Sequence, residues 1–236
     1  MSDQRGNAIP YNRILQRLSN VDRDLLTPLL EPVDLPIRKV LEAPHRRIDH
    51  VFFIERGFAS VVANGRPQRS IEVGLIGREG VTGLAVMMRT DRSPNATFMQ
   101  YAGSGQRIAV TDLKQALRES DTLYSTLLNF GHAFHIQTTQ TALANGRSKI
   151  EQRLARWLCM AHDRIDGNDL ALTHEFIAVM LGVRRPGVTL MLEALERVGL
   201  IRRHRGIISI LDRKGLEKSS DGTYGLPEAE FQRMFG

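Results

Sequence analysis

Cysteine occurs once in 236 residues, so no disulfide can form within the chain and the reducing cytoplasm is the expected compartment. No apolar run approaches the roughly 20 residues that a helix needs to cross a bilayer. The first residues are polar and lack the apolar core of a secretory leader, so a soluble protein with no membrane partner is expected. Internal repeats and low-complexity tracts are absent. So are the signatures of common enzymes: there is no G-x-S-x-G nucleophile turn and no kinase or metal-hydrolase motif. Gly103-Ser104-Gly105-Gln106-Arg107-Ile108 lacks a third glycine and a following helix, which excludes a phosphate loop. Metal ligands are sparse too. Cys159 and His162 stand three apart, as do His132 and His135, but two ligands do not make a site, and packing is the reading for both pairs. Cys159, flanked by Leu158 and Met160, is expected to be buried and inert. No enzyme is expected.

What the chain does have is basic charge, unevenly placed. It carries 32 Lys and Arg against 26 Asp and Glu, a net of +6. Residues 147–218 hold 14 against 9, a net of +5, whereas 1–146 hold 17 against 14 and 219–236 hold 1 against 3. A basic segment of this kind is what phosphate binding requires.

That segment contains the most informative stretch, Thr173 to Leu192. Phe176, Ile177, Met180 and Leu181 have the spacing of a short amphipathic helix, with Thr173 as its N-cap and Glu175 in its first turn. Gly182 supplies the stop. Arg184-Arg185-Pro186 then opens a second helix whose buried face is Val188, Met191, Leu192 and Leu195. Ala178 is small where the helices would cross. Helix-glycine-helix pairs are common, but here Leu200-Ile201 and Ile207-Ile208-Ser209-Ile210 follow, flanking a basic turn over Arg202–Gly206. Together they read as a helix-turn-helix with a β-hairpin wing.

The pattern T-x-E-x-[IL]-A-x-x-L-G-V-x-R, then V-T, L-E-x-x-G-L-I and R-G-x-I-x-I-L-D, resembles the winged DNA-binding domain of the Crp/Fnr (cyclic-AMP receptor / fumarate–nitrate regulator) superfamily of bacterial transcription factors. The resemblance covers about residues 10–218 and is most specific over 147–215. It implies an α+β chain: a cyclic-nucleotide-binding-like antiparallel β-roll, a long dimerisation helix and a C-terminal winged helix-turn-helix. The residues independently suggest a roll, because short β-branched and aromatic runs (51–54, 59–62, 71–73, 97–99, 108–110) alternate with turn signals at Gly57, Asn64-Gly65, Gly74, Gly77, Gly80, Gly83 and Gly103-Ser104-Gly105. V-F-F-I-E-R-G-F-A-S-V-V and E-V-G-L-I-G-R-E-G-V-T-G-L are the parts similar to the family's roll.

Before the roll, helices are expected over Tyr11–Leu18 and Val21–Leu30. After it, a short helix over Asp112–Glu119 with Thr111 as cap precedes a long one from Asp121 to Ala144, ended by Asn145-Gly146. A helix over Ser148–His162 should point Arg147, Lys149, Arg153, Arg156 and Arg164 outward, and Asp166–Asp169 should be a loop. The expected domains are 1–111 (N-terminal helices and roll sensor), 112–146 (dimerisation), 147–218 (winged helix-turn-helix) and 219–236, a polar tail with at most one short helix near Glu228–Met234.

For function, the resemblance implies a homodimer that binds double-stranded DNA through a twofold-symmetric operator, and it allows RNA polymerase as a further partner. Arginine can bond guanine bidentately in the major groove, which the start of a recognition helix enters. That puts Arg184, Arg185, Thr189 and Leu190 forward, with Arg185, which matches the arginine of the family pattern, as the base reader and Thr189 as a contact to either a phosphate or a thymine methyl. Thr173 and the wing residues Arg202, Arg203 and Arg205 are better placed for phosphates, and His174 is a further DNA-binding candidate. Where many relatives have Ser-Arg-Glu-Thr-Val, this chain has Arg184-Arg185-Pro186-Gly187-Val188, so the glutamate that reads cytosine is missing and the operator cannot be borrowed. An effector pocket in the roll would draw on Glu79, Gly80, Gly83, Arg89, Arg92 and Ser93. The spacing of Glu79 and Arg92 and the form of the turn argue against a cyclic nucleotide, and the N-terminal cysteines of the iron–sulfur branch are missing, which excludes that cluster. No cofactor is assigned. Regulation without any ligand is equally compatible, and the rival reading is a small-molecule-sensing module that does not read DNA.

Overall fold

A computed structural model describes residues 11–63 and 70–236. The expected polar leader over 1–10 and the Asn64-Gly65 turn lie outside the described residues. Two short helices begin the chain, α1 (Arg13–Arg17) and α2 (Asn20–Leu26), capped by the side chains of Asn12 and Ser19. The second is shorter than expected, because Pro28 diverts the chain into a 3-10 turn over Thr27–Leu29.

Strands β1 (Glu31–Leu35), β2 (Val40–Glu42), β3 (His50–Ala63), β4 (Ile71–Ile76) and β5 (Ala96–Ala109) then build one antiparallel sheet, with the four-residue helix α3 (Leu84–Met87) between β4 and β5. Its order is β1-β5-β3-β4, and β2 also pairs with β5. Of the glycines expected to separate short strands, Gly77, Gly80 and Gly83 do fall between β4 and α3, but Gly74 lies inside β4, and Gly57, Gly103 and Gly105 lie inside two strands of 14 residues each. At Gly57 (φ +74) the β3–β5 register shifts, and a Cβ there would lie 2.5 Å from the Tyr101 carbonyl oxygen. At Gly103 it would lie 1.8 Å from the Arg56 carbonyl oxygen. These glycines permit close backbone approach at an irregular pairing, and the chain does not reverse there.

Helix α4 (Val110–Glu119) starts one residue before the expected cap Thr111, with Ala109 at the cap position and no side-chain bond. Helix α5 (Asp121–Arg147) is capped by Ser120, whose oxygen accepts from the Leu123 N–H at 3.1 Å. It runs through Asn145-Gly146 to Arg147. A single glycine costs a helix only about 1 kcal/mol, too little to end one of 27 residues. Leu123, Leu127, Phe130 and Phe134 bury one side of α5 in the N-terminal core. Gln137 binds both polar groups of the Leu75 backbone, accepting at 2.6 Å and donating at 3.2 Å.

The C-terminal part comprises α6 (Ile150–His162), β6 (Asp169–Ala171), α7 (His174–Leu181), α8 (Arg185–Arg197), β7 (Ile201–His204), β8 (Ile207–Ile210), α9 (Arg213–Ser219) and α10 (Leu226–Phe235). The loop expected at Asp166–Asp169 leads directly into β6, which completes a small sheet of order β6-β8-β7. Arg156 and Arg164, expected to face outward, are buried. Arg156 donates to the Thr223 carbonyl at 2.9 Å, and Arg164 pairs with Glu79 at 2.7 Å. The reason is that α6 is covered on both sides. One side meets the helix-turn-helix, and the other meets the roll, where Trp157 stands edge-on to Phe58 with ring centroids 6.4 Å apart.

The tail is no appendage. Helix α10 returns to the N-terminal domain, where Phe235 is buried in its core with Phe231 and Met234 packed against it. Arg17 closes the contact by donating to the carbonyl of Gly236 at 3.0 Å. Among the described residues, no helix is long and apolar enough to cross a membrane.

Candidate nucleic-acid interface

The two helices of the motif are set by local chemistry. Thr173 Oγ1 accepts from the Phe176 N–H at 3.3 Å, closing the start of α7. Gly182, at φ +63, ends it in the left-handed conformation, with its N–H turned back to the carbonyls of Ala178 and Val179. Arg184 is extended at the cap position of α8, and Pro186 lies in the first turn. Ile177, Ala178, Met180 and Leu181 from α7 meet Val188, Met191, Leu192 and Leu195 from α8 in one core. His174 Nδ1 lies 3.1 Å from Thr189 Oγ1 and ties the beginning of α7 to α8.

The start of α8 presents basic side chains to solvent. Arg184 and Arg185 are exposed and make no hydrogen bond or ion pair with any described residue. No acidic residue stands in the first turn of α8, and Leu190 is 68 % exposed. Two free guanidinium groups therefore share the positive end of a helix. Thr173 and His174 have hydroxyl and ring already engaged in holding the motif, and Thr189 is half-buried against His174.

The wing is tighter than expected. Strand β7 runs through His204, so the turn is Arg205-Gly206 alone, both at positive φ (45° and 80°), as a two-residue hairpin turn requires. The Leu172 N–H donates to the Gly206 carbonyl at 2.9 Å and fixes the tip beside the start of α7. Arg202 and Arg205 are exposed and unpaired with any described residue. Arg203 differs. Its backbone N–H and Nε both donate to Glu196 of α8, at 2.7 and 2.8 Å, and those bonds hold the Glu196 carboxyl below the usual range. Arg203 thus fastens the wing to α8.

Each of the six residues expected to form an effector pocket has a local partner or packing role of its own. Glu79 receives Arg164 and the Gly77 N–H. Gly80 gives room to Phe130, whose ring a Cβ would meet at 2.4 Å. Gly83, at φ +77, donates to the buried Glu42 at 2.9 Å. Arg89 lies 5.6 Å over the Tyr124 ring, Arg92 pairs with neighbouring Asp91 at 3.1 Å, and Ser93 Oγ accepts from the Asn95 N–H. A cavity of about 300 Å³ opens elsewhere, at the junction of the domains, with Arg78, Glu79, Phe130, Phe134, Arg164 and Phe231 in its walls.

Sequence reasoning missed the polar joint beside it. Glu72 of β4 is fully enclosed; Trp157 Nε1 of α6 donates to it at 2.7 Å, and the Ser60 hydroxyl donates to its other oxygen. Burial dominates over these bonds and over the nearby Arg156 and Arg164, and pushes its carboxyl up to about 7. The signal was available: in Ile71-Glu72-Val73 the carboxylate alternates onto the face opposite its neighbours. Cys159 is buried as expected, its thiol pushed up to about 12 by desolvation.

The family model described as the Crp-like helix-turn-helix domain matches residues 152–219, from the first turn of α6 to the end of α9. Known structures extend the likeness to the whole fold. A Crp/Fnr-family transcriptional regulator from Eubacterium rectale superposes with a TM-score of 0.70 at 19 % identity, covering 90 % of this chain and 99 % of that one. FixK2 from Bradyrhizobium japonicum gives 0.66 at 15 %, covering 80 % and 96 %. The c-di-GMP-responsive global regulator CLP of Xanthomonas campestris gives 0.66 at 14 %, covering 82 % and 100 %. No curated protein matches the chain in sequence. The chain thus shares the fold of these structures: a roll, a long helix and a C-terminal helix-turn-helix domain with a wing.

Proposed function

We propose that this protein is a homodimeric transcription regulator that reads a twofold-symmetric DNA operator with α8 and grips the flanking phosphates with its wing. The observation that carries the reading is the start of α8, where Arg184 and Arg185 stand exposed and unpaired beside the free wing cations Arg202 and Arg205. Arg185 is the base reader, and Arg202 and Arg205 contact phosphates; Arg203 supports the wing. Two copies related by a twofold axis would place their recognition helices roughly 34 Å apart, one turn of the duplex. Control by a small molecule belongs to the same proposal. The residues expected to hold an effector in the roll are engaged in packing and ion pairs, so the junction cavity, walled by both domains, is where a ligand would change how they sit. Double-stranded DNA and a second copy of the chain are the proposed partners, in the cytoplasm.

Selection from a random duplex library at two salt concentrations tests this. Enrichment of a palindrome by the native protein, lost with Arg185→Ala, is the expected result. Binding that is weak, salt-sensitive and blind to sequence, with and without cell metabolite extract, would overturn it in favour of a sensing module that does not read DNA.

A further inference from the structure

Between Asp121 and Arg147 helix α5 contains no Asp, Glu, Lys or Arg, in a chain that is 25 % charged. The roll covers only the side that bears Leu123, Leu127, Phe130 and Phe134. On the other side Ser125, Leu128, His132, His135, Thr139 and Ala142 are all exposed, and they follow one another at alternating steps of three and four. That is the register of a two-stranded coiled-coil seam. A long helix face without charge lacks what keeps a surface in water, and depletion of charge is the mark of an interface core. The occupant that fits is a second copy of α5, because a 3.5-residue register is complementary to itself across a twofold axis.

We propose that two copies of this chain hold one transition-metal cation of the zinc class on that axis, through His132 and His135 of each α5. The proposal rests on the homodimer reading above. The two histidines occupy adjacent layers of the seam, about 4.5 Å apart along the helix at about 1.5 Å per residue, so the dimer brings four imidazoles together. Neither ring has a hydrogen bond or ion pair with any described residue, so nothing within one chain satisfies or orients them. Buried in a seam as free rings they would be unsatisfied polar groups. Coordination removes that cost: imidazole suits zinc, copper and nickel, and four ligands close a tetrahedral structural site. Among the described residues of a single chain no group of three or more metal-ligating side chains occurs, as expected of a site that needs the second copy to complete it.

The test uses the tag-free, full-length protein stripped with chelator. Sedimentation equilibrium fixes the mass first, and titration with Zn²⁺ by calorimetry and with Co²⁺ by visible absorption follows. The expected result is a dimer that binds one ion per two chains, with the absorption of tetrahedral Co²⁺. His132→Ala and His135→Ala should each remain dimeric and weaken binding by at least about 100-fold, since even outer contacts of a metal site are worth about 10- to 100-fold. His162→Ala, whose ring lies against Asn168, should leave it unchanged. A dimer that takes up no ion at that stoichiometry, or one whose site survives both α5 variants, overturns the metal site and leaves the regulator reading standing. A monomer with and without metal removes the dimer reading and this proposal together.

Discussion

Replacing Glu72 with glutamine should make the protein's stability depend less on pH. Glu72 is enclosed at the joint between β4 and α6, and burial raises its carboxyl from 4.5 to about 7. The folded state therefore holds a proton that the unfolded chain releases above its own pKa. Stability from this group is fully present below about pH 4.5, is lost progressively as pH rises to about 7, and is flat beyond. At about 1.4 kcal/mol per unit, the loss is about 3 kcal/mol. Glutamine imitates the protonated acid: its carbonyl can accept from Trp157 Nε1, and its amide can donate to Ser60. Urea denaturation of both proteins from pH 4.5 to 8, followed by circular dichroism and by the fluorescence of Trp157, the only tryptophan, gives two curves. They should coincide at the acid end and separate by about 3 kcal/mol above pH 7, with the glutamine variant the more stable. Every other titrating group is common to both and cancels in the difference. Parallel curves, or a glutamine variant less stable at pH 8, would refute the argument.

Three further outcomes are expected. Arg185→Ala should cost about 1–3 kcal/mol in operator affinity while leaving non-specific binding nearly intact, as measured by fluorescence anisotropy on specific and scrambled duplexes. Arg202→Ala and Arg205→Ala should each lower the slope of log affinity against log salt by about one, whereas Arg203→Ala should leave that slope unchanged, because its guanidinium is held by Glu196. Phe235→Ala should destabilise the N-terminal domain by about 3–5 kcal/mol in urea melts, the range for an aromatic removed from a core, although it lies next to the C-terminus.

The parts that were legible in the sequence are those fixed by neighbours along the chain. Thr173, Gly182 and Pro186 act within one helical turn of where they stand, so the helix-turn-helix could be read from them nearly to the residue. The failures share the opposite property. Gly57 and Gly103 read as turns because glycine usually is one, yet their role depends on each strand's backbone facing the other across a pairing some 45 residues apart. Arg156 read as solvent-facing because amphipathic spacing assumes one covered side, and α6 has two; Arg164, in the turn after α6, is drawn inward by Glu79 of the roll. Arg203 looked equivalent to Arg202 until the hairpin folded it onto Glu196. Phe231, Met234 and Phe235 carry a helical apolar spacing that was there to be seen, but only the fold shows that their partner is the first domain.

The same distinction bears on how binding at one end could be controlled from the other. The roll and the C-terminal domain meet at α6, at the turn after it and at α7, and the contacts at α6 and its turn are of two kinds. Trp157 against Phe58 is apolar and non-directional, and it tolerates small sliding. Glu72 to Trp157 and Glu79 to Arg164 are directional and buried, so each is either made or left at the cost of an unpaired polar group. Contacts that are made or broken, with no intermediate, give a joint two positions instead of a continuum, which is what rigid-body switching of paired recognition helices needs. The junction cavity touches one of these pairs directly, at Glu79 and Arg164. A molecule that competes for either partner there would release one of the directional bonds that hold the roll against the turn after α6.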